Sequence, residues 1–306
     1  MLKYIYPAIK TMRPRQWLKN LSLFGTPALM WNLHSMDVFI PTVKAFFIFC
    51  MISSGAYYIN DLVDADKDRN HPVKKNRPIA SGALPRYIAL LVASILLVGA
   101  LVISRIALGT AFTLLAISFV LLQFMYSFYL KKIVLLDTLA IAMFFVLRVF
   151  AGGIASQTSI SSWLFLTTIG LALLLAFGKR RSEKTLFEDD LEKIQTRETL
   201  KVYPKTLLDR MLSVSATICL VSYAVFAFQT SPEIMISFMP SVLSEVKLFM
   251  ISIPLVFYGV GRYLFVVFEK KEGETPDKVL TTDLPLILTV TTWLIIVITI
   301  NLLTIR

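Results

Sequence analysis

Two cysteines and two histidines are spread through 306 residues, too few for a disulfide or zinc framework. Cys50 and Cys219 lie within apolar runs and read as small packing residues. Charged residues make up only 17% of the chain, against about 25% in an average soluble domain. One large water-soluble core is therefore excluded. Acid is the scarcer sign: 20 Asp and Glu stand against 31 Lys and Arg, a net charge of +11. No Gly-rich phosphate loop, HExxH pair or nucleophile elbow occurs, which removes the enzyme classes built on them. The N-terminus carries charge but no early apolar core ending in small residues, so no removable signal peptide is expected.

What the chain has is apolar length. Hydrophobic residues are 56% of the sequence and the mean hydropathy is +0.71, the composition of an integral membrane protein. A bilayer-spanning helix needs about 20 mostly apolar residues. Nine stretches qualify, with soft ends: 20–33, 41–60, 84–104, 107–127, 134–153, 161–178, 211–229, 246–268 and 284–304. The first is short and carries Pro27, so it is kinked or starts earlier, near Trp17. The expected fold is all-α: a polytopic bundle of nine transmembrane helices forming a single domain over 1–306.

Positive charge sets the orientation. Of the 31 Lys and Arg, 25 fall in 1–20, 63–87, 131–132, 179–210 and 269–283, and the loops around 34–40, 154–160 and 230–244 carry none. The positive-inside rule then places the N-terminus inside and, with nine spans, the C-terminus outside. Topology and attraction to anionic lipid headgroups account for most of this charge. Because the cations sit in short interhelical loops, nucleic acid is not the expected partner.

The richest polar stretch is Asn60 to Gly82, NDLVDADKDRNHPVKKNRPIASG. A helix continuing through it at 100° per residue puts Asn60 at 0°, Asp64 at about 40°, Asp68 at about 80° and Asp61 at about 100°. Asp66 and Arg69 fall elsewhere, at about 240° and about 180°. Three carboxylates and an amide then share one face that has no counter-charge within the helix, and like charges at this spacing weaken a helix. A divalent hard cation turns that repulsion into attraction, since Mg²⁺ takes oxygen ligands from a few carboxylates plus substrate phosphates. Pro72 and Pro78 stop a regular helix beyond this point. That leaves Lys74, Lys75 and Arg77 on a loop within reach of the acids, where cations suit a polyanionic third party.

Further blocks carry charge at the same membrane face. RPRQWLKN, Arg13 to Asn20, holds Arg13, Arg15 and Lys19, which are either interfacial anchors or phosphate ligands. YSFYLKK, Tyr126 to Lys132, closes the fourth apolar run, and GKRRSEK, Gly178 to Lys184, closes the sixth. Arg148 lies inside the fifth run beside Ala151, Gly152 and Gly153; it is either a structural partner for a buried carboxylate or a ligand for substrate phosphate. The acidic run Glu188, Asp189, Asp190 and Glu192 has no clear face and reads as solvated surface.

In these blocks the chain resembles the UbiA superfamily of intramembrane prenyltransferases, whose NxxxDxxxD motif matches Asn60, Asp64 and Asp68. The resemblance is closer to its decaprenyl-phosphate phosphoribosyltransferase branch. RPxQWxKN stands at Arg13 to Asn20, NDxxDxxxDRxHPxKxxRPIAxG at Asn60 to Gly82, and YSxxLK at Tyr126 to Lys131. LRxxAG stands at Leu147 to Gly152 and GKRxxE at Gly178 to Glu183. Where prenyl-diphosphate users carry a second Asp-rich motif near the end of the sixth helix, this chain has GKRRSE.

The resemblance implies nine helices around a central cavity, a cell-membrane enzyme working at the cytoplasmic face, and Mg²⁺ as cofactor. The implied donor is 5-phosphoribosyl 1-diphosphate, the acceptor a polyprenyl phosphate lipid, and the setting cell-wall biogenesis. Asp61, Asp64 and Asp68 are the expected catalytic acids and, with Asn60, the metal ligands. Lys19, Arg69, Lys74, Arg77, Tyr126, Lys131, Arg148, Lys179, Arg180 and Glu183 are the expected substrate contacts. Prenyl transfer from a polyprenyl diphosphate to an aromatic acceptor is the nearer alternative. A transporter is the farther one, disfavoured because charge gathers at one face. Both a monomer and a homo-oligomer are compatible with the sequence.

Overall fold

In lipid an apolar run satisfies its own backbone only as a helix or in a closed barrel, and every long element of the computed structural model is a helix. The structure describes residues 4–70, 74–188, 202–231, 247–270, 279 and 282–303, with no strand among them. In order these give α1 (Ile5–Met12), a 3₁₀ segment (Pro14–Phe24), the short α2 (Gly25–Leu29) and α3 (Met36–Arg69). There follow α4 (Arg86–Phe128), α5 (Leu136–Ala155), α6 (Ser162–Glu188), α7 (Lys205–Thr230), α8 (Ile253–Phe265) and α9 (Leu284–Leu303). The acidic run at 189–192 lies outside the described residues.

Among the described residues, six helices are long and apolar enough to cross a membrane, and Leu284–Ile300 is a shorter apolar helix. The nine expected spans do not appear as nine separate long helices: the first is not a long helix, and the third and fourth are the two arms of α4. The first expected span, 20–33, is a 3₁₀ segment running into a five-residue helix. Pro14 and Pro27 each lack a backbone donor, and Gly25 and Thr26 are weak helix formers.

The third and fourth expected spans share the single 43-residue α4, interrupted at Gly109 by a non-helical backbone (φ 83°, ψ −176°). The Ser104 hydroxyl donates to the Thr113 hydroxyl at 3.0 Å, although nine residues of straight helix would separate them by about 13 Å. The chain therefore reverses at Gly109, and α4 is a hairpin of two arms.

At 34 residues, α3 is about 51 Å long, well beyond a hydrocarbon core of about 30 Å. It runs unbroken from its apolar segment through Asn60 and the three acids to Arg69. The acidic turns thus inherit the rigidity and the facing of a membrane helix.

Two compact units emerge: Met1–Gly25, Met36–Lys131 and Leu147–Thr158 form the first, and Thr26–Ser35, Lys132–Val146 and Ser159–Arg306 the second. In the first, the N-terminal segment is tied along α3. The Tyr58 hydroxyl donates to the Ala8 carbonyl at 2.8 Å, the Ser54 hydroxyl to the Met12 carbonyl at 3.3 Å, and the Trp17 indole to the Ser54 oxygen at 3.1 Å. Phe49 sets its ring edgewise against Phe112 and Phe119, centroids 5.9 and 5.1 Å away, which seats the second arm of α4 on α3. Gly152 lies so close to the Leu23 backbone that a Cβ would collide with its carbonyl.

In the second unit, α6 meets α7 where Gly170 abuts the Cys219 backbone and the Thr167 hydroxyl donates to Ser222 at 3.0 Å. Leu174, Phe177, Leu208, Leu212, Tyr263 and Val266 form the buried core there. Small residues at such crossings let helices approach where lipid supplies no hydrophobic drive.

Gly109→Ala is expected to cost about 1–3 kcal/mol, because the backbone there is one that only glycine adopts without strain. The added Cβ would meet open space, so the loss is purely conformational. Gly99→Ala, in regular helix of the same element, should be neutral or gain up to about 1 kcal/mol. Thermal unfolding of both variants in detergent checks the contrast.

Candidate active site

Because α3 stays helical to Arg69, Asn60, Asp61, Asp64 and Asp68 occupy its last turns. Asp61 and Asp68 are nearly sealed from solvent, at 3% and 5% exposure. Their counter-charges arrive from other parts of the chain. Arg13 donates to Asp61 Oδ1 at 2.5 Å. Arg77 Nη1 reaches Asp61 Oδ1 at 3.2 Å and Asp68 Oδ2 at 2.7 Å, bridging the two. Lys131 Nζ donates to both oxygens of Asp64, at 2.8 and 3.1 Å. The Ser127 hydroxyl lies 3.5 Å from Asn60 Oδ1, at the edge of hydrogen-bond range. The face that the sequence leaves without counter-charge in its own helix is thus balanced by the fold, three acids against three cations.

Each cation is placed by local structure. Arg13 sits between α1 and the 3₁₀ segment with a left-handed backbone (φ 53°), and its guanidinium lies 4.9 Å from the centre of the Tyr57 ring. Arg77 follows the single turn Lys74–Asn76. Its N–H donates to the Lys74 carbonyl at 2.9 Å and its own carbonyl accepts from Ser81 at 2.9 Å. Ile79 and Leu84 sink into a cluster with Tyr58 and Ala65 of α3, anchoring the loop that presents Arg77. Lys131 lies in the 3₁₀ turn Leu130–Lys132 just after α4.

Arg69 points away from this face: its Nε donates to the Ala80 carbonyl at 3.2 Å and its Nη1 to Asp66 at 3.3 Å. Asp66 also pairs with Arg86. Arg69 therefore stitches the helix end to the loop. Lys19, Lys74 and Tyr126 are partly buried and engaged within the fold.

Arg148 is buried, donates from Nε to Asn20 Oδ1 at 2.9 Å, and lies over the Phe119 ring at 4.9 Å. Asn20 Nδ2 in turn donates to Cys50 Sγ at 3.3 Å. Asn20, fully buried, is a junction that sequence reasoning passed over; its place as the last residue of RPRQWLKN was the available signal.

The second unit holds a separate buried ionic cluster. Arg180, 2% exposed, donates from Nε to Asp137 Oδ2 at 2.7 Å and from Nη1 to Glu183 Oε2 at 2.6 Å. The Tyr203 hydroxyl donates to Asp137 Oδ1 at 2.6 Å and accepts the Leu135 N–H at 2.7 Å. That bond holds Leu135 in a left-handed conformation (φ 68°) unusual for a bulky side chain. Burial, with the Asp137 carboxylate beside it, pushes the Tyr203 phenol up to about 12. Lys179 lies at the rim, 4.0 Å from Glu183. Arg181 turns the other way, to Asp209 at 2.5 Å. Asp137 and Tyr203 carried no motif and were not expected.

Among the described residues, no three acidic, His or Cys side chains are grouped as a ready metal cage. Mg²⁺ does not require one: it commonly takes one or two carboxylates and completes its shell with water and substrate phosphate. An amide oxygen and three carboxylates along one stretch of α3 fit that demand.

The family model described as "UbiA prenyltransferase family" matches residues 21–282. The chain belongs to this family. Among curated UbiA relatives, it is 36% identical over 224 residues to the decaprenyl-phosphate phosphoribosyltransferase of Mycolicibacterium smegmatis, covering 72% of this chain and 70% of that one. It is 31% identical over 285 residues to the Corynebacterium glutamicum protein of the same name, covering 90% and 80%. The fold is that of a UbiA homologue from Archaeoglobus fulgidus solved with GPP and Mg²⁺: TM-score 0.68, 18% identity, 96% of this chain and 99% of that one. This UbiA chain is thus an all-helical, multi-pass membrane transferase.

Arg180→Met strands two buried carboxylates and is expected to destabilise by about 3–5 kcal/mol, whereas Lys179→Ala at the rim should cost under about 1 kcal/mol. Tyr203→Phe should fall between, at about 1–3 kcal/mol. The Tyr203 contribution is present in full below the ordinary tyrosine value of about 10 and is lost as pH rises toward about 12. Denaturant titration of the purified variants across that range measures all of these.

Proposed function

We propose that the protein transfers 5-phosphoribosyl from 5-phosphoribosyl 1-diphosphate to a polyprenyl phosphate of the decaprenyl type and releases diphosphate. The observation that carries this reading is a single acidic face ringed by Arg13, Arg77 and Lys131. With a basic GKRRSE in place of a second acidic motif, such a face suits one diphosphate accompanied by further phosphates. The names of the curated relatives support the same donor and acceptor.

Asn60, Asp61, Asp64 and Asp68 would hold Mg²⁺. Bound there, the ion supplies positive charge to the leaving diphosphate. Arg77, Lys131 and Arg13 engage donor and acceptor phosphate oxygens through charge-assisted hydrogen bonds. The acceptor phosphate is already mostly dianionic at neutral pH, with a second pKa of about 6, so its oxygen attacks the ribose C1 without a strong general base. The C1–O bond to diphosphate breaks as the new one forms, with inversion at C1, and rate comes from positioning and charge neutralisation.

The distribution of Lys and Arg supports a cytoplasmic site, an inside N-terminus and an outside C-terminus, in the cell membrane.

Purified protein given radiolabelled 5-phosphoribosyl 1-diphosphate, decaprenyl phosphate and Mg²⁺ should form a labelled lipid, and a chelator should abolish it. Asp64→Asn should lower turnover by at least about 10²-fold while the protein stays monodisperse. Label transfer only from a polyprenyl diphosphate to an aromatic acceptor would replace this reading with prenyl transfer.

A further inference from the structure

We propose that Arg77 makes metal capture on the acidic face of α3 conditional on a diphosphate, so that the ion and the anion enter and leave together. The inference rests on the Mg²⁺ and diphosphate reading above.

It starts from which oxygens are engaged. Asp61 Oδ1 accepts from both Arg13 and Arg77, Asp68 Oδ2 accepts from Arg77, and both oxygens of Asp64 accept from Lys131. Three carboxylates and three cations leave the cluster without net charge. A hydrated Mg²⁺ arriving alone meets no excess of negative charge, and it must part with tightly held water to bind. It must also break an ion pair whose acids are almost fully buried. Displacing Arg77, whose side chain is 27% exposed, with nothing to receive it costs the guanidinium both its carboxylate partners, a loss that water offsets only in part.

A diphosphate changes this balance. Its oxygens accept the Arg77 fork in the bidentate manner suited to that side chain, so the guanidinium moves from carboxylate to phosphate without losing a partner. Asp68 is then released and Asp61 keeps only Arg13, so both acids have oxygens to turn toward an ion.

Arg77 is the cation placed to do this. Among the described ion pairs it is the one that bridges two of the acids, so its departure releases Asp68 and leaves Asp61 with Arg13 alone. Its backbone is pinned by the Lys74–Asn76 turn and by buried Ile79 and Leu84, which lets the side chain swing while the loop stays put. Arg13 is held differently, against the Tyr57 ring. After transfer, loss of diphosphate returns Arg77 to the acids and expels the ion, resetting the site.

The test uses the full-length protein in detergent, Mn²⁺ as the metal probe and inorganic diphosphate as the anion, with bound metal read by equilibrium dialysis. Wild-type protein should bind Mn²⁺ at least about tenfold more weakly alone than with saturating diphosphate, and the same coupling should appear in diphosphate affinity. Arg77→Gln should tighten binding of Mn²⁺ alone by about tenfold while weakening diphosphate, and Arg77→Lys should recover part of the wild-type coupling. Equal wild-type affinity for Mn²⁺ with and without diphosphate overturns the proposal, and that comparison needs no variant to fold. So does an Arg77→Gln protein, intact by gel filtration and thermal unfolding, that binds Mn²⁺ alone no better than wild type. Absence of bound Mn²⁺ under both conditions would remove the metal role of these acids altogether. The identity of the sugar donor does not enter, since the probe is diphosphate itself.

Discussion

Three carboxylates spaced along one face of a helix repel one another, and burial of two of them magnifies the effect. The end of α3 stays helical because that repulsion is cancelled from outside the helix. Arg13 comes from before the 3₁₀ segment, Arg77 from the loop beyond α3, and Lys131 from the turn that closes α4. One electrostatic requirement thus recruits three distant stretches of chain and fixes their positions around α3. The packing follows the same logic, with Trp17 on Ser54, Tyr58 on Ala8, and Ile79 and Leu84 beneath the Arg77 loop.

The second unit solves a similar problem with the opposite sign at its centre. One guanidinium, Arg180, sits between Asp137 and Glu183, with Tyr203 completing the coordination of Asp137. Neighbouring residues of GKRRSE accordingly differ in role. Arg180 is consumed in the scaffold, Arg181 pairs with Asp209, and Lys179 lies at the rim. A buried cluster of this kind contributes rigidity more than net stability, because the desolvation of its charges offsets much of their attraction.

How much of this was legible can be traced residue by residue. The one-sided placement of Asn60, Asp61, Asp64 and Asp68 needed only the helical period, and the break after Arg69 needed only the prolines that follow. The pairings were not legible. Arg13 lies 48 residues from Asp61, and Lys131 lies 67 from Asp64, so no local rule joins them. Arg148 stood out as a cation within an apolar run, but its bond to the Asn20 amide depends on how α5 approaches the 3₁₀ segment. Tyr203 and Asp137 carried no motif because their significance arises only from burial and mutual contact.

Composition and hydropathy by themselves determined a membrane-embedded, all-helical chain, since apolar backbone in lipid must hydrogen-bond internally and does so within each segment. Periodicity determined the acidic face, because side-chain direction along a helix is fixed by its pitch. Tertiary structure alone decided that the face is charge-balanced and that Arg180 is enclosed. Each of those depends on which segments meet in space, and the free energies that settle such meetings come from packing and desolvation, to which sequence spacing is blind.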